Sequence, residues 1–540
     1  MPVFSPKIYL RPPSCGENPA ADSALVSELT ELTSRAARLS EKRRPRFQER
    51  GQLTPRERLA RLLDPGMPFL ELYNLANYLV ESSDKAESVP GANCITGIGF
   101  VAGVRCMLLV DDSGIQAGAS TRKSVDKGLG AIDMALSLKF PFLHLVESAG
   151  ANLLKYEVEL WAHGGGMFHK LARLSAAGIP TFVVLHGPSV AGGAYMPGMS
   201  DYVIAVKGRG QAALGAAALV KAATGEVADE EALSGAEMHA TVSGLVEYLA
   251  EDDQHALAIA RDLVGRLGWN ERCAAAPRRH FEEPLYSPDE IAGVVPVDYR
   301  RPYDVREVIA RVVDGSDFVD FKPGYGAATV CVQAAIFGHP CGIIGNNGPI
   351  DPDGAAKATH FIQLCDQAQT PLIFLSNTTG YMVGTRYEQA GMIKHGSKMI
   401  QAVSNARVPR ITLYIGASFG AGNYGMCGYA YEPDFLFSWP NAKTGVMGGE
   451  QAASTMLQVA KAAAARRGIP LEESMLEGQK QELIRLFDSQ SDAFYTSGRC
   501  LDQGVIDPRD SRRVLGFALE TCWEARHRTL QPNSFGVARI

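Results

Sequence analysis

The sequence has no apolar run of the ~18 residues that a membrane-spanning helix needs, so no membrane segment is expected. Its ten cysteines contain no Cys-x-x-Cys pair, which removes the spacing signature of a zinc ribbon and of a disulfide framework. Scattered thiols of this kind suit a reducing compartment. Excess charge is also missing. A net charge of −6 with 21% charged residues leaves no basic footprint for nucleic acid. Met1 to Ser14 lacks the charged-then-apolar pattern of a secretory signal, and the expected location is the cytoplasm.

What is present is a duplication. Residues 180–195 and 409–424 carry the same pattern, an apolar β-branched run that ends in small residues and a tyrosine. Pro180 pairs with Pro409, Gly187 with Gly416, Ser189 with Ser418, Gly193 with Gly422 and Tyr195 with Tyr424, always 229 residues apart. Upstream, Glu147-Ser148-Ala149-Gly150 matches Asn377-Thr378-Thr379-Gly380. Tyr156-Glu157 matches Tyr387-Glu388, and His163-Gly164 matches His395-Gly396. Arg61-Leu62-Leu63-Asp64 echoes Arg311-Val312-Val313-Asp314 near the start of each half. A repeat this long means two domains of one fold rather than a solenoid. At 540 residues a single core is not expected.

Strand-like and helix-like segments alternate from about residue 90, which predicts an α/β fold. The expected organisation is a loose N-terminal arm over 1–22, a first domain over 23–267, a proline-rich linker over 268–303 and a second domain over 304–540. Residues 53–64 read as a helix, and the basic stretch Glu41 to Arg46 as a solvated face.

The chemistry is expected at the glycine turns. An apolar strand that runs into a glycine-rich helix start presents bare backbone N–H groups to an anion. In the first half the candidate donors are Ala149, Gly150, Gly192 and Gly193. In the second they are Thr379, Gly380, Ala421 and Gly422. Paired N–H donors aimed at a carbonyl oxygen stabilise the enolate that forms there. The same glycines also allow a helix to pack closely on a strand; the duplication of turn and upstream loop together favours the chemical reading. No acid–base constellation accompanies them, and Asp351-Pro352-Asp353 reads as a turn rather than a metal site.

These turns resemble the crotonase superfamily. The doubled form resembles the carboxyltransferase (beta) subunit of biotin-dependent acyl-CoA carboxylases over nearly the whole chain. The sharpest stretches are Ser418-Phe419-Gly420-Ala421-Gly422-Asn423-Tyr424, Val446-Met447-Gly448-Gly449-Glu450-Gln451 and Ser534-Phe535-Gly536-Val537. They are similar to the 3-methylcrotonyl-CoA and geranyl-CoA branch. The resemblance implies two tandem crotonase-like domains, the first serving an acyl-CoA and the second serving biotin. It assigns Gly192 and Gly193, assisted by Ala149 and Gly150, to the thioester oxygen. Ala421 and Gly422, with Thr379 and Gly380, would face biotin, bordered by Tyr381 and Phe419.

The chain has neither an Ala-Met-Lys-Met biotin attachment site nor a P-loop. Biotin is therefore expected on an alpha partner that carries out the ATP-dependent step, with this chain as a homo-oligomer, β6 within α6β6. No metal is expected. A decarboxylase subunit of the same fold and a non-catalytic paralogue are the rival readings.

The first half departs from the family pattern at Ala117-Gly118-Ala119-Ser120, which lacks the usual glycine pair, and at Gly164, where methylcrotonyl-type sequences carry phenylalanine after the histidine that matches His163. A missing aromatic leaves room for a longer acyl chain such as geranyl, and Gly164 and His163 are the expected substrate-binding residues. Gly422→Val is expected to abolish turnover. Gly164→Phe is expected to reduce use of geranyl-CoA more than use of 3-methylcrotonyl-CoA in steady-state assays; equal losses on both would remove the pocket argument.

Overall fold

The computed structural model describes residues 19–151, 157–277, 279–467 and 473–537; Tyr156 of the duplicated Tyr-Glu pair lies outside them. The chain forms two units, each built on its own mixed sheet. In the first sheet β1 (Leu70–Leu72), β2 (Cys94–Val101), β3 (Val104–Asp111), β4 (Phe142–Ser148), β5 (Thr181–Val190), β6 (Tyr202–Val206) and β8 (Tyr248–Ala250) follow one another in space, and β7 (Gln211–Ala213) pairs with β5. The second sheet runs β14 (Phe435–Ser438), β13 (Arg410–Phe419), β12 (Leu372–Thr378), β11 (His339–Asn346), β10 (Thr329–Ile336) and β9 (Phe318–Asp320), with β15 (Lys443–Gly445) paired to β13.

The duplication seen in the sequence is thus a duplication of topology. Each sheet opens with an antiparallel hairpin, β2–β3 or β10–β11, and continues in parallel. Helices supply the crossovers that parallel strands require. Parallel strands covered on both faces are apolar along their length, and β4 and β5 are buried at nearly every position.

Two landmarks fix the correspondence between the halves. The Asp64 carboxylate accepts the N–H groups of Ala102 at 2.9 Å and Gly103 at 2.6 Å in the β2–β3 turn, and Arg261 pairs with it at 2.7 Å. Asp314 accepts Phe337 at 2.8 Å and Gly338 at 2.7 Å in the β10–β11 turn and pairs with Arg512 at 2.8 Å. A second shared feature is an inward lysine on the helix after each hairpin. Lys127 donates to the carbonyls of Gly91 and Cys94 at 3.1 and 2.6 Å, and Lys357 to those of Lys322 and Tyr325 at 3.2 and 2.9 Å.

The division of the chain differs from the sequence expectation. The first unit comprises Glu31–Ala276, but Gly498–Cys500 and the residues from Thr521 on join it. Pro277–Ser497 and Leu501–Glu520 form the second unit, together with the described residues up to Thr30. The C-terminal return has a physical cause. The Asn533 N–H donates to the Ala176 carbonyl at 2.9 Å, the Arg528 guanidinium donates to the Trp269 carbonyl, and any side chain at Gly178 would strike the Gln531 carbonyl. The proline-rich stretch 268–303 carries short helical turns at Asn270–Arg272, Pro288–Glu290 and Ile291–Val294. The helix predicted over 53–64 is Pro55–Leu62, started by a reciprocal Thr54–Glu57 capping box. The basic stretch is a solvated face, with Arg44 paired to Glu41 and Glu57.

In the second unit burial pushes the Asp502 carboxyl up to about 6. It accepts the Ser438 hydroxyl at 2.6 Å and the Gly504 N–H at 3.0 Å. A carboxyl raised on folding contributes stability below its unfolded value and loses that contribution as pH rises through the folded one. Asp502→Asn is therefore expected to raise the thermal midpoint at pH 7.5 relative to that at pH 4.5, by an amount corresponding to about 1–3 kcal/mol. Equal shifts at both pH values would contradict it.

Candidate functional site

In each unit the two glycine turns are brought side by side by the two central parallel strands. The β4–β5 pairing is regular up to Val146–Leu185 and then shifts register before Ser148 meets Ser189. The β12–β13 pairing does the same between Ser376–Tyr414 and Thr378–Ser418. Beyond these bridges the upstream turn folds over the end of its neighbour. Gly150 has φ +79° and Gly380 φ +126°, a backbone region that residues with a side chain rarely occupy. The next residues on β5 and β13 turn sharply, with Ala191 and Gly420 both at φ +54°. For alanine this left-handed conformation costs about 1 kcal/mol, a local strain held at the turn.

The helix starts follow. In the first unit a 3₁₀ turn, Ala191–Ala194, leads into the helix Tyr195–Met199. In the second, Gly420–Gly425 is a short α-helix. No side chain caps either start. Gly420, Ala421 and Gly422 occupy the first three helical positions, whose N–H groups have no acceptor within a helix. Ala191 and Gly192 stand likewise at the first two positions of their turn, with Gly193 next. Gly192 and Ala421 are exposed, Gly193 is half-buried and Gly422 is buried.

The upstream turns are differently placed. The Ala149 N–H donates to the Ala117 carbonyl at 3.1 Å and the Gly150 N–H to the Ser148 hydroxyl at 3.1 Å. The Gly380 N–H donates to the Thr378 hydroxyl at 3.3 Å, while Thr379 is exposed. Three of these four groups are already engaged. At the helix starts the first N–H groups have no acceptor within their own turn.

The remaining candidates fall into two groups. His163, largely exposed, faces Asp126 with Nε2 3.2 Å from the carboxylate. Gly164 ends the helix Val158–Gly164, and a Cβ added there would meet only Val125 at 3.8 Å, so neither backbone nor packing demands a glycine. On the other side, the Tyr381 hydroxyl donates to the Gly396 carbonyl at 3.3 Å, and its ring packs on Gly396 and Gly425. Phe419 is buried, with its ring edge-on to Tyr299. Tyr381 is thus half-buried and Phe419 buried at the second turn. Gly422 is also tightly placed, since a side chain would stand 2.8 Å from the Gly380 Cα. Gly422→Val thus disturbs packing as well as any N–H donation.

The sequence reading missed the polar support under the turns. The Ser189 hydroxyl donates to the Gly193 carbonyl at 2.8 Å. The Asn423 amide donates to the Ser418 hydroxyl at 2.8 Å and to the Tyr414 hydroxyl at 2.9 Å, and burial pushes Tyr414 up to about 12. Only the pairing of Ser189 with Ser418 across the repeat signalled it. Among the described residues no cluster suits a metal ion, and no helix is long and apolar enough to cross a membrane.

Residues 46–537 match the family described as carboxyl transferase domain. The crystal structure of the P. aeruginosa geranyl-CoA carboxylase beta subunit superposes with a TM-score of 0.91 at 48% identity, covering 97% of this chain and 98% of that one. A probable biotin-dependent acyl-coenzyme A carboxylase beta2 subunit of Mycobacterium tuberculosis is 46% identical over 534 residues, 98% of this chain and 99% of its own length. The biotin-dependent 3-methylcrotonyl-coenzyme A carboxylase beta1 subunit of that organism is 43% identical over the full length of both. The α/β class and the two tandem crotonase-like domains expected from the sequence are those of this fold. With both doubled turns in place and this extent of likeness, the chain belongs to the carboxyl transferase family, among the beta subunits of acyl-CoA carboxylases.

Proposed function

We propose that this chain moves a carboxyl group from carboxybiotin, carried by an alpha partner, to the γ-carbon of an α,β-unsaturated branched acyl-CoA, with geranyl-CoA preferred. The observation that carries the acyl preference is the 48% identity to the geranyl-CoA carboxylase beta subunit over nearly all of both chains. The surroundings of Gly164 support it, since among the described residues a Cβ built there meets only Val125 within 4 Å. 3-Methylcrotonyl-CoA, the substrate named for a relative 43% identical, is the second choice.

In this reading the first unit binds the thioester so that its carbonyl oxygen meets the N–H groups of Gly192 and Gly193. Negative charge that develops when the γ-proton leaves is then held by main-chain dipoles that need not reorganise. The second unit offers Ala421 and Gly422 to the urea oxygen of biotin. These donors are fixed, uncharged and set in the same fold, so the residues fit two carbonyl oxygens. Carboxybiotin supplies the activated carboxyl group and, once that group has left, a nitrogen that takes up the substrate proton. No side-chain base is then required, in keeping with turns made of glycine and alanine. The working assembly is a cytoplasmic β6 core with alpha partners, in which the acyl-side turn of one copy faces the biotin-side turn of another. The Gly164 substitution bears on the acyl pocket; Ala421 tests the second hole.

Proline at the second position of a helix is sterically tolerated and lacks the N–H. Ala421→Pro, assayed with the biotinylated partner, is expected to lower kcat about 10²–10³-fold with the thermal midpoint nearly unchanged. An unaltered kcat would contradict the role of this hole. In a panel of acyl-CoAs, geranyl-CoA is expected to give the highest kcat/KM; a preference for acetyl-CoA or propionyl-CoA would contradict the acyl assignment.

A further inference from the structure

At the strand ends that deliver the first-unit turns lies a buried ionic group whose Arg58, Glu147 and His186 positions are matched by uncharged residues in the second unit. Arg58, on the helix Pro55–Leu62, donates from Nη1 to Glu147 Oε2 at 2.5 Å and from Nε to Asp253 Oδ2 at 3.0 Å. His186 Nδ1 lies 2.8 Å from Asp253 Oδ1, and Asp253 Oδ2 also accepts the Leu53 N–H at 2.8 Å. The four side chains are at most 3% exposed. A carboxylate only accepts, so the histidine carries its proton on Nδ1.

The group grips the two strands that deliver the turns. Glu147 is the penultimate residue of β4 and His186 lies within β5. Gln52 Nε2 bridges them, donating to Glu147 Oε1 at 3.2 Å and to the His186 carbonyl at 2.9 Å. Glu147 fills the space a side chain at Gly187 would need, its Cγ 2.5 Å from that Cβ position. The Glu147 N–H is held by Asp111 at 3.2 Å, and Asp111 by His144 at 3.1 Å.

The second unit builds the same junction from neutral groups. Strand register places Asn377 where Glu147 stands and Ile415 where His186 stands. Six residues before the paired landmarks Asp64 and Asp314 come Arg58 and Val308. Asn377 presses on Gly416 as Glu147 does on Gly187, and its Oδ1 accepts the Ala417 N–H at 3.0 Å. The fold therefore closes this junction without charge. Burying ions where apolar residues serve as well is costly, so their presence calls for a role beyond folding.

We propose that Arg58, Glu147, Asp253 and His186 are positioning residues for the acyl-side turn, holding the ends of β4 and β5 so that the Gly192 and Gly193 N–H groups meet the thioester oxygen as charge develops. This rests on the function proposed above. Charge-assisted hydrogen bonds are shorter and more directional than neutral ones, which suits a donor pair whose misplacement by an ångström costs rate. The biotin-side turn, held by Asn377, does without them.

Two variants of the full chain with its biotinylated partner test this. Glu147→Gln keeps the shape but removes the charge and one of the two acceptor oxygens that Arg58 and Gln52 use. The set Arg58→Val, Glu147→Asn, His186→Ile and Asp253→Asn moves the first unit toward the neutral junction of the second and guards against failure to fold from a single unpaired charge. In both, kcat with the preferred acyl-CoA is expected to fall about 10–100-fold while KM stays within about twofold. Arg58→Lys is expected to retain more of kcat than Arg58→Met. Wild-type kcat in either folded variant, or a rise in KM alone, would overturn the proposal. A wild-type enzyme that carboxylates no acyl-CoA in the panel would instead overturn the function it rests on.

Discussion

Parallel pairing of two central strands, carried one irregular step past its regular register, is the constraint on which both turns depend. Val146–Leu185 and Ser376–Tyr414 are the last regular pairs, and Ser148–Ser189 and Thr378–Ser418 close the shifted ones. The shift sets the upstream turn over the end of its neighbour, so that Gly150 lies against the Val190 carbonyl and Gly380 against that of Phe419. The chain then has to leave the strand in a left-handed step at Ala191 or Gly420. A helix that starts at such a step, without a capping side chain, leaves its first N–H groups to whatever oxygen is brought to it.

Once the junction is duplicated, the two copies are free to differ in what supports them. The second unit uses amides and hydroxyls: Asn377 accepts the Ala417 N–H, and Asn423 donates to Ser418 and Tyr414. The first uses a guanidinium, two carboxylates and an imidazole at the corresponding level. Burial holds the His186 imidazole below its usual value, opposed by the Asp253 carboxylate, which is itself depressed to about 2. A neutral histidine beside an ionised aspartate leaves Arg58 as the cation that both carboxylates share.

Much of this was legible in the sequence because duplication makes a pattern count twice. The Gly192-Gly193 and Ala421-Gly422 turns, their upstream partners and the Asp64–Asp314 landmarks all appeared as matched residues, and the α/β alternation indicated the class. Three things were not legible. The C-terminal return to the first unit depends on contacts such as Asn533 with Ala176, between residues far apart in the chain. The engagement of the Ala149 and Gly150 N–H groups depends on where the carbonyl of Ala117 and the hydroxyl of Ser148 come to lie. The buried set around Arg58 joins positions 58, 147, 186 and 253 across four separate elements, and nothing in local spacing marks an arginine on an amphipathic helix as buried.

The account stands or falls on main-chain N–H groups polarising a thioester carbonyl. The most direct measurement is the infrared difference spectrum of geranyl-CoA labelled with ¹³C at the thioester carbonyl, bound to the assembled enzyme. The account predicts a carbonyl stretch clearly lower than that of the free thioester, since two fixed donors draw charge onto the oxygen. A stretch unchanged from that in water would contradict it.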